Sequence, residues 1–210
     1  PGLFKMEQYS RLVQFLEKNL GYRRGKDLME FPYDWRHDNR LSARRLADAI
    51  DGWHVGSPVT IIAHSMGCLI SRYYVDRLGG DKKVERLILI GGPHYGTPKA
   101  LSGLLLGRGL LPFGLQGERL RKVFATFPSI YQLLPSYPSI FDQNGRPIDI
   151  FDDVTWVPAE QRPLLRYAAE FRRELAGRCG VPCVSVFGYG LKTITKAIVR
   201  RGPGQNWSKV

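Results

Sequence analysis

A parallel α/β sheet with helices packed on it and right-handed crossovers is the fold class predicted for this 210-residue chain. Two patterns predict it. Short β-branched runs alternate with stretches of helical period between Lys26 and Ile90, and each strand-like run ends in turn residues before the next helix. With 43% hydrophobic and 24% charged residues the chain can also bury one sizeable core without metal or disulfide staples. Ten Phe, ten Tyr and four Trp exclude a wholly disordered chain. No apolar run is long enough to cross a bilayer as a helix.

In order along the chain, Met6–Leu20 carries Tyr9, Leu12, Val13, Leu16 and Leu20 at helical spacing, with Gly21 as the stop. Lys26–Tyr33 is expected to hold a short strand ending near Phe31. Asp38 or Asn39 caps a second helix carrying Leu41, Leu46, Ile50 and Trp53. Val59-Thr60-Ile61-Ile62 predicts a buried parallel strand, and a third helix presents Ile70, Tyr73, Tyr74 and Leu78 before Gly79-Gly80. Val84–Ile90 is a further buried strand running into Gly91-Gly92-Pro93.

The rhythm breaks after Pro98. Residues 99–158 combine glycines, prolines and Leu/Phe clusters without a steady period, which predicts a lid or cap insertion within one domain. Its Leu104, Leu105, Leu106, Leu110, Leu111 and Phe113 suit either an acyl-chain groove or a small satellite core. A helix near Ala159–Ala176 follows, with Leu164, Leu165, Tyr167, Ala168, Phe171 and Leu175 as its stripe. A strand at Val181–Phe187 and extended segments around Thr193-Ile194-Thr195 and Ala197-Ile198-Val199 close the chain.

The formal net charge is +12. The basic residues are spread throughout and accompany no helix-turn-helix, zinc-finger or RNA-binding signature, so no nucleic-acid partner is expected. A solvated surface and attraction to an anionic membrane remain as readings, also for Lys192, Lys196, Arg200 and Arg201. Cys68, Cys179 and Cys183 lack metal-ligand spacing. Gly188-Tyr189-Gly190 lacks the further glycine of a dinucleotide loop, so neither metal nor cofactor is expected. Asp34 and Arg36 suit a local ion pair rather than a catalytic carboxylate.

Chemistry concentrates in Ala63-His64-Ser65-Met66-Gly67, between the strand at Val59 and the third helix. This is the G-x-S-x-G elbow with Ala at the first small position: small flanking residues permit a sharp strand-to-helix turn that presents the Ser65 hydroxyl. Ser65 is therefore the candidate nucleophile, and the backbone amide of Met66 a candidate oxyanion donor. A serine needs a base oriented by a carboxylate, in the chain order Ser, acid, His of α/β-hydrolases. Of the four histidines, His37, His54 and His64 precede Ser65. His94 follows it, and Asp76 and Asp81 between them are not at a strand end. His94 reads as shaping the pocket mouth, and His64 as pointing into the sheet's packing.

Five segments together resemble the lecithin:cholesterol acyltransferase family. They are Phe31-Pro32-Tyr33-Asp34-Trp35-Arg36, Ala63–Cys68, Gly91-Gly92-Pro93-His94-Tyr95-Gly96-Thr97-Pro98, Phe127–Pro135 and Phe187-Gly188-Tyr189-Gly190. The resemblance implies an α/β-hydrolase fold, an acyl-serine intermediate and a lipid or other acyl-ester substrate. It places the acid and the His of the triad downstream of Gly190, so both are expected beyond Val210. The second oxyanion donor is expected before Pro1 or around Gly2-Leu3. Because the chain opens at Pro1 without an initiator Met, an incomplete hydrolase domain is expected, and the compartment is left open. The rival expectation is a non-catalytic hydrolase-fold protein that binds lipid or a partner.

Overall fold

The computed structural model describes residues 9–53, 56–110, 117–201 and 207–209, of which 201 and 207–209 as backbone only. His54, Leu111, Phe113 and Gly2-Leu3 lie outside the described residues. Helix α1 (Ser10–Leu20) ends at Gly21, whose φ of 77° lets its N–H turn back to Leu16 O. Helix α2 (Asn39–Trp53) starts where the Asp38 carboxylate accepts the Arg40 amide at 2.7 Å, and it buries Leu46 and Ile50. Then come β1 (Val59–His64), α3 (Met66–Arg77) and β2 (Val84–Ile90). Beyond them lie α4 (Pro98–Leu106), α5 (Glu118–Phe124), α6 (Pro128–Gln132), β3 (Ile140–Phe141), α7 (Arg162–Glu174) and β4 (Cys183–Val186). Three short strands end the chain: β5 (Ala197–Ile198), β6 (Arg200–Arg201) and β7 (Trp207–Lys209).

The main sheet is parallel in the order β1-β2-β4. Its register puts Ile61, Ala63, Leu87 and Leu89 on one face and Ile62, His64, Ile88 and Ile90 on the other. The first face is covered by α2, α3 and α7, whose Ile50, Leu69 and Phe171 join Leu87 and Leu89 in one core. Phe171 stacks on Tyr73 with ring centroids 5.6 Å apart, and Arg40 ties α2 to α7 by an ion pair of 2.8 Å to Glu174. The second face is only partly covered. Val184 and Val186 of β4 are about half exposed. The expectation that Val59–Ile62 is a buried strand is therefore corrected: β1 lies at the edge of the sheet that the described residues form, with Ile61 and Ile62 half-buried.

Among the described residues the strand expected within Lys26–Tyr33 does not form. Arg24 and Leu28 make one isolated bridge, and Met29–Tyr33 pairs with no strand among the described residues. Met29, Phe31 and Tyr33 instead dock on the core by their side chains, which holds the segment extended without a ladder.

The described part of residues 99–158 builds a second core. Leu101, Leu104, Phe124, Ile130, Tyr131 and Trp156 pack together with Leu165 and Ala168 of α7. Leu105 and Leu110 lie against this cluster. Leu133 touches both cores and joins them.

Candidate active site

The elbow is built by the end of one strand and the start of one helix. Ser65 sits between β1 and α3 with φ 53° and ψ −123°, the single non-glycine residue with positive φ among the described residues. Such backbone costs about 1–3 kcal/mol and persists only where its surroundings hold it. Here the Ser65 amide donates to Ile90 O at 2.9 Å, and Ser65 O accepts the Cys68 amide at 3.0 Å. A Cβ at Gly67 would stand 3.8 Å from Ala63 Cβ. One methyl therefore fits there, and a larger side chain on either residue meets the other. Ser65 is exposed, whereas Met66 and Cys68–Ser71 behind it are buried. As the first residue of α3, Met66 has no partner in its own helix for its N–H, which lies at the positive end of that helix.

The neighbouring side chains are polar. The Tyr9 hydroxyl and His64 Nδ1 are 2.8 Å apart, and the two rings meet edge to face. His64 is exposed on the sheet face opposite α3, so the expectation that it points into the sheet's packing is corrected. The Tyr33 hydroxyl lies 3.7 Å from where a Cβ at Gly67 would be. Burial, with Tyr9 and Cys68 adding, pushes the Tyr33 phenol up to about 12, so it remains a proton-bearing donor. Burial likewise pushes the Cys68 thiol up to about 11, which keeps it protonated beside the serine and no rival nucleophile. Its Sγ donates to Ala63 O at 3.3 Å.

No histidine is hydrogen-bonded to Ser65 Oγ among the described residues. His37 lies at the surface, 3.4 Å from Asp34. Asp34 is held by Arg36 through Nε at 2.8 Å, the local ion pair the sequence predicts, and this contact keeps its carboxyl well below the usual range. His94 packs beside Cys68: a Cβ at Gly92 would stand 2.7 Å from His94 Nε2 and 3.0 Å from Cys68 Sγ.

The family model described as lecithin:cholesterol acyltransferase matches residues 3–172. The chain belongs to this family. Human lysosomal phospholipase A and acyltransferase is 28% identical over 204 residues, which cover 82% of this chain and 46% of that protein. Human phosphatidylcholine-sterol acyltransferase is 35% identical over 104 residues, 46% of this chain and 23% of the relative. Among solved structures, the Tle4-Tli4 complex superposes with a TM-score of 0.63 at 18% identity, over 80% of this chain and 46% of that one. The fold is that of the α/β-hydrolases. The chain spans less than half the length of these curated relatives.

Within this acyltransferase-family chain, one site residue escapes motif reading. Arg172 of α7 is buried, and its Nη1 donates to the carbonyls of His94 at 2.8 Å and Pro93 at 3.4 Å. It pins the loop that follows β2 from behind. Burial pushes the guanidinium down to about 10, and its charge, with that of Arg72, adds to burial in lowering the pKa of His94. The available signal was a charged residue four positions after Ala168, inside an apolar stripe. Gly96 secures the same loop. A Cβ there would stand 2.2 Å from Leu134 O, and the neighbouring Thr97 amide donates to Leu133 O at 2.8 Å.

Proposed function

We propose that Ser65 is the nucleophile of a serine-dependent acyl-ester hydrolase or acyltransferase acting on lipid-like esters. The observation that carries this is the strained backbone of Ser65, φ 53°, held between β1 and α3 with its side chain exposed. A fold that needed only a βα turn would accept glycine there without strain. In the proposed reaction Ser65 Oγ attacks the ester carbonyl, its proton passes to a histidine base, and the Met66 N–H donates to the oxyanion. The ester bond then breaks to leave an acyl-serine, and the alcohol leaves with the proton from that histidine. Water or a second alcohol resolves the acyl-enzyme. Family order takes the acid and the histidine from sequence downstream of Gly190, beyond Val210. The names of the relatives, a phospholipase A and acyltransferase and a phosphatidylcholine-sterol acyltransferase, support lipid esters as the substrate class.

Residues 99–158 are proposed as the lid or cap of a single hydrolase domain that is incomplete in these 210 residues. Support comes from the second core, built largely from this segment, and its junction with the first core at Leu133. Peripheral contact with an anionic membrane belongs to the same proposal and is supported by the net charge of +12.

Fluorophosphonate labelling of the complete protein tests the nucleophile. The adduct is expected on Ser65 and is expected to vanish in Ser65→Ala. Undiminished labelling in that variant overturns the assignment, and absence of any label in the wild type favours a lipid-binding relic of the fold.

A further inference from the structure

Helix α7 carries a basic stripe that neither the core nor the elbow uses. Arg162, Arg166 and Arg173 stand at positions i, i+4 and i+11, on one face of the helix, and all three are exposed. With Phe151, Val154 and Leu165 they line a cleft of about 510 Å³. A single carboxylate, Asp152, shares that cleft. Among the described residues none of the three guanidinium groups has an ion-pair partner, whereas Arg40 and Arg72 nearby are paired with Glu174 and Asp76.

Helix stability does not account for the arrangement. Arg162 is the first residue of α7, at the positive end of the helix, and no acidic residue lies in the first turn to balance it. Arg166 adds a like charge one turn on, which repels, and Glu170 a further turn on forms no ion pair with Arg166 or Arg173 among the described residues. An anion in the cleft removes both penalties, and guanidinium forks match phosphate oxygens two at a time. The apolar floor selects further. A polyanion backbone has no use for Phe151 and Val154, whereas a phospholipid offers a phosphate with an apolar shoulder directly beneath it.

We infer that this cleft is the contact surface for an anionic bilayer, with phosphate headgroups on Arg162, Arg166 and Arg173 and the glycerol shoulder against Phe151 and Val154. The inference rests on the lipid substrate class proposed above and is independent of Ser65. An enzyme whose substrate lies in a membrane gains from a second, non-catalytic hold on that surface, because it keeps the site at the interface between turnovers.

The test is co-sedimentation of the complete protein with vesicles of phosphatidylcholine, with and without phosphatidylglycerol. Binding to the anionic vesicles is expected to weaken with salt. It is expected to fall roughly 25-fold in the double variant R162Q/R166Q, about fivefold for each arginine. The charge-matched variant R44Q/R45Q, altered on the exposed side of α2, is expected to stay within about twofold of the wild type. Equal losses in the two variants assign the binding to diffuse net charge and overturn the inference, as does an undiminished R162Q/R166Q. Ser65→Ala is expected to bind vesicles like the wild type, so failure of the nucleophile and failure of this surface are read separately.

Discussion

The amide of Ser65 donates to the carbonyl of Ile90 at 2.9 Å, so the residue that presents the hydroxyl is also the last rung of the β1–β2 ladder. One residue later the chain is helical. The turn has no slack between these two constraints, and its strain sits in the backbone of Ser65 itself.

Removing the side chain altogether should therefore stabilise the chain. Ser65→Gly is expected to raise the unfolding free energy by about 1 kcal/mol relative to Ser65→Ala, because glycine adopts positive φ without a Cβ penalty. Urea unfolding followed by tryptophan fluorescence reads this directly. A Ser65→Gly variant no more stable than Ser65→Ala means that the turn is unstrained.

The loop after β2 should respond to two glycine substitutions very differently. Gly91 and Gly96 both have positive φ, but a Cβ at Gly91 meets nothing within 4 Å, whereas one at Gly96 would stand 2.2 Å from Leu134 O. Gly91→Ala should cost about 1 kcal/mol, and Gly96→Ala roughly 3 kcal/mol or more, since backbone on both sides would have to part. Equal costs in denaturant titrations contradict the docking of this loop on Leu133–Ser136.

Acid should weaken the fold through His94. Burial first, then Arg72 and Arg172, hold its pKa below the ordinary value. In the unfolded chain it titrates near about 6.5, so above that pH both states are neutral and its contribution is fully present. As the pH falls below that value, the unfolded chain takes up a proton that the folded state refuses, and stability is lost until the folded value is passed. The urea midpoint of the wild type should fall more between neutral and mildly acidic pH than that of His94→Gln. Parallel pH profiles for the two proteins sink the assignment.

The second core should behave as a packed core and not as a loose flap. Leu101 is fully buried there, and Leu101→Ala is expected to cost about 2–5 kcal/mol. Leu41→Ala on the exposed side of α2 should change stability by less than about 0.5 kcal/mol. Thermal unfolding of the two variants compares them, and a Leu101→Ala protein as stable as Leu41→Ala leaves residues 99–158 without a cooperative core.

Local pattern carried much of this protein. The short β-branched and apolar runs and the helical stripe between them marked β1, β2 and α3 closely, because a parallel strand packed by helices reads as an apolar run and a helix shows its buried residues at fixed spacing. The elbow was legible for a similar reason: a turn that sharp tolerates only small residues at Ala63 and Gly67, a demand written within five positions. The failures were at sites where a distant partner decides. Lys26–Tyr33 has the composition of a strand, yet a strand exists only where a neighbour pairs with it, and Phe31 and Tyr33 dock by side chains instead. His64 follows the alternation of β1, yet which face is covered depends on helices far along the chain.

By itself, then, the sequence determined the parallel α/β order and the sharp strand-to-helix turn at Ser65, since each depends on residues close together in the chain, and the family likeness, since each of its segments is a short local motif. Only the tertiary structure decided that Tyr9 meets His64, that Arg172 holds the His94 loop from behind, and that the described part of residues 99–158 gathers into a second core joined to the first at Leu133. Those contacts join positions tens of residues apart. What sets them is which buried polar groups find partners and which surfaces are left uncovered, and both emerge only once the helices have packed on the sheet.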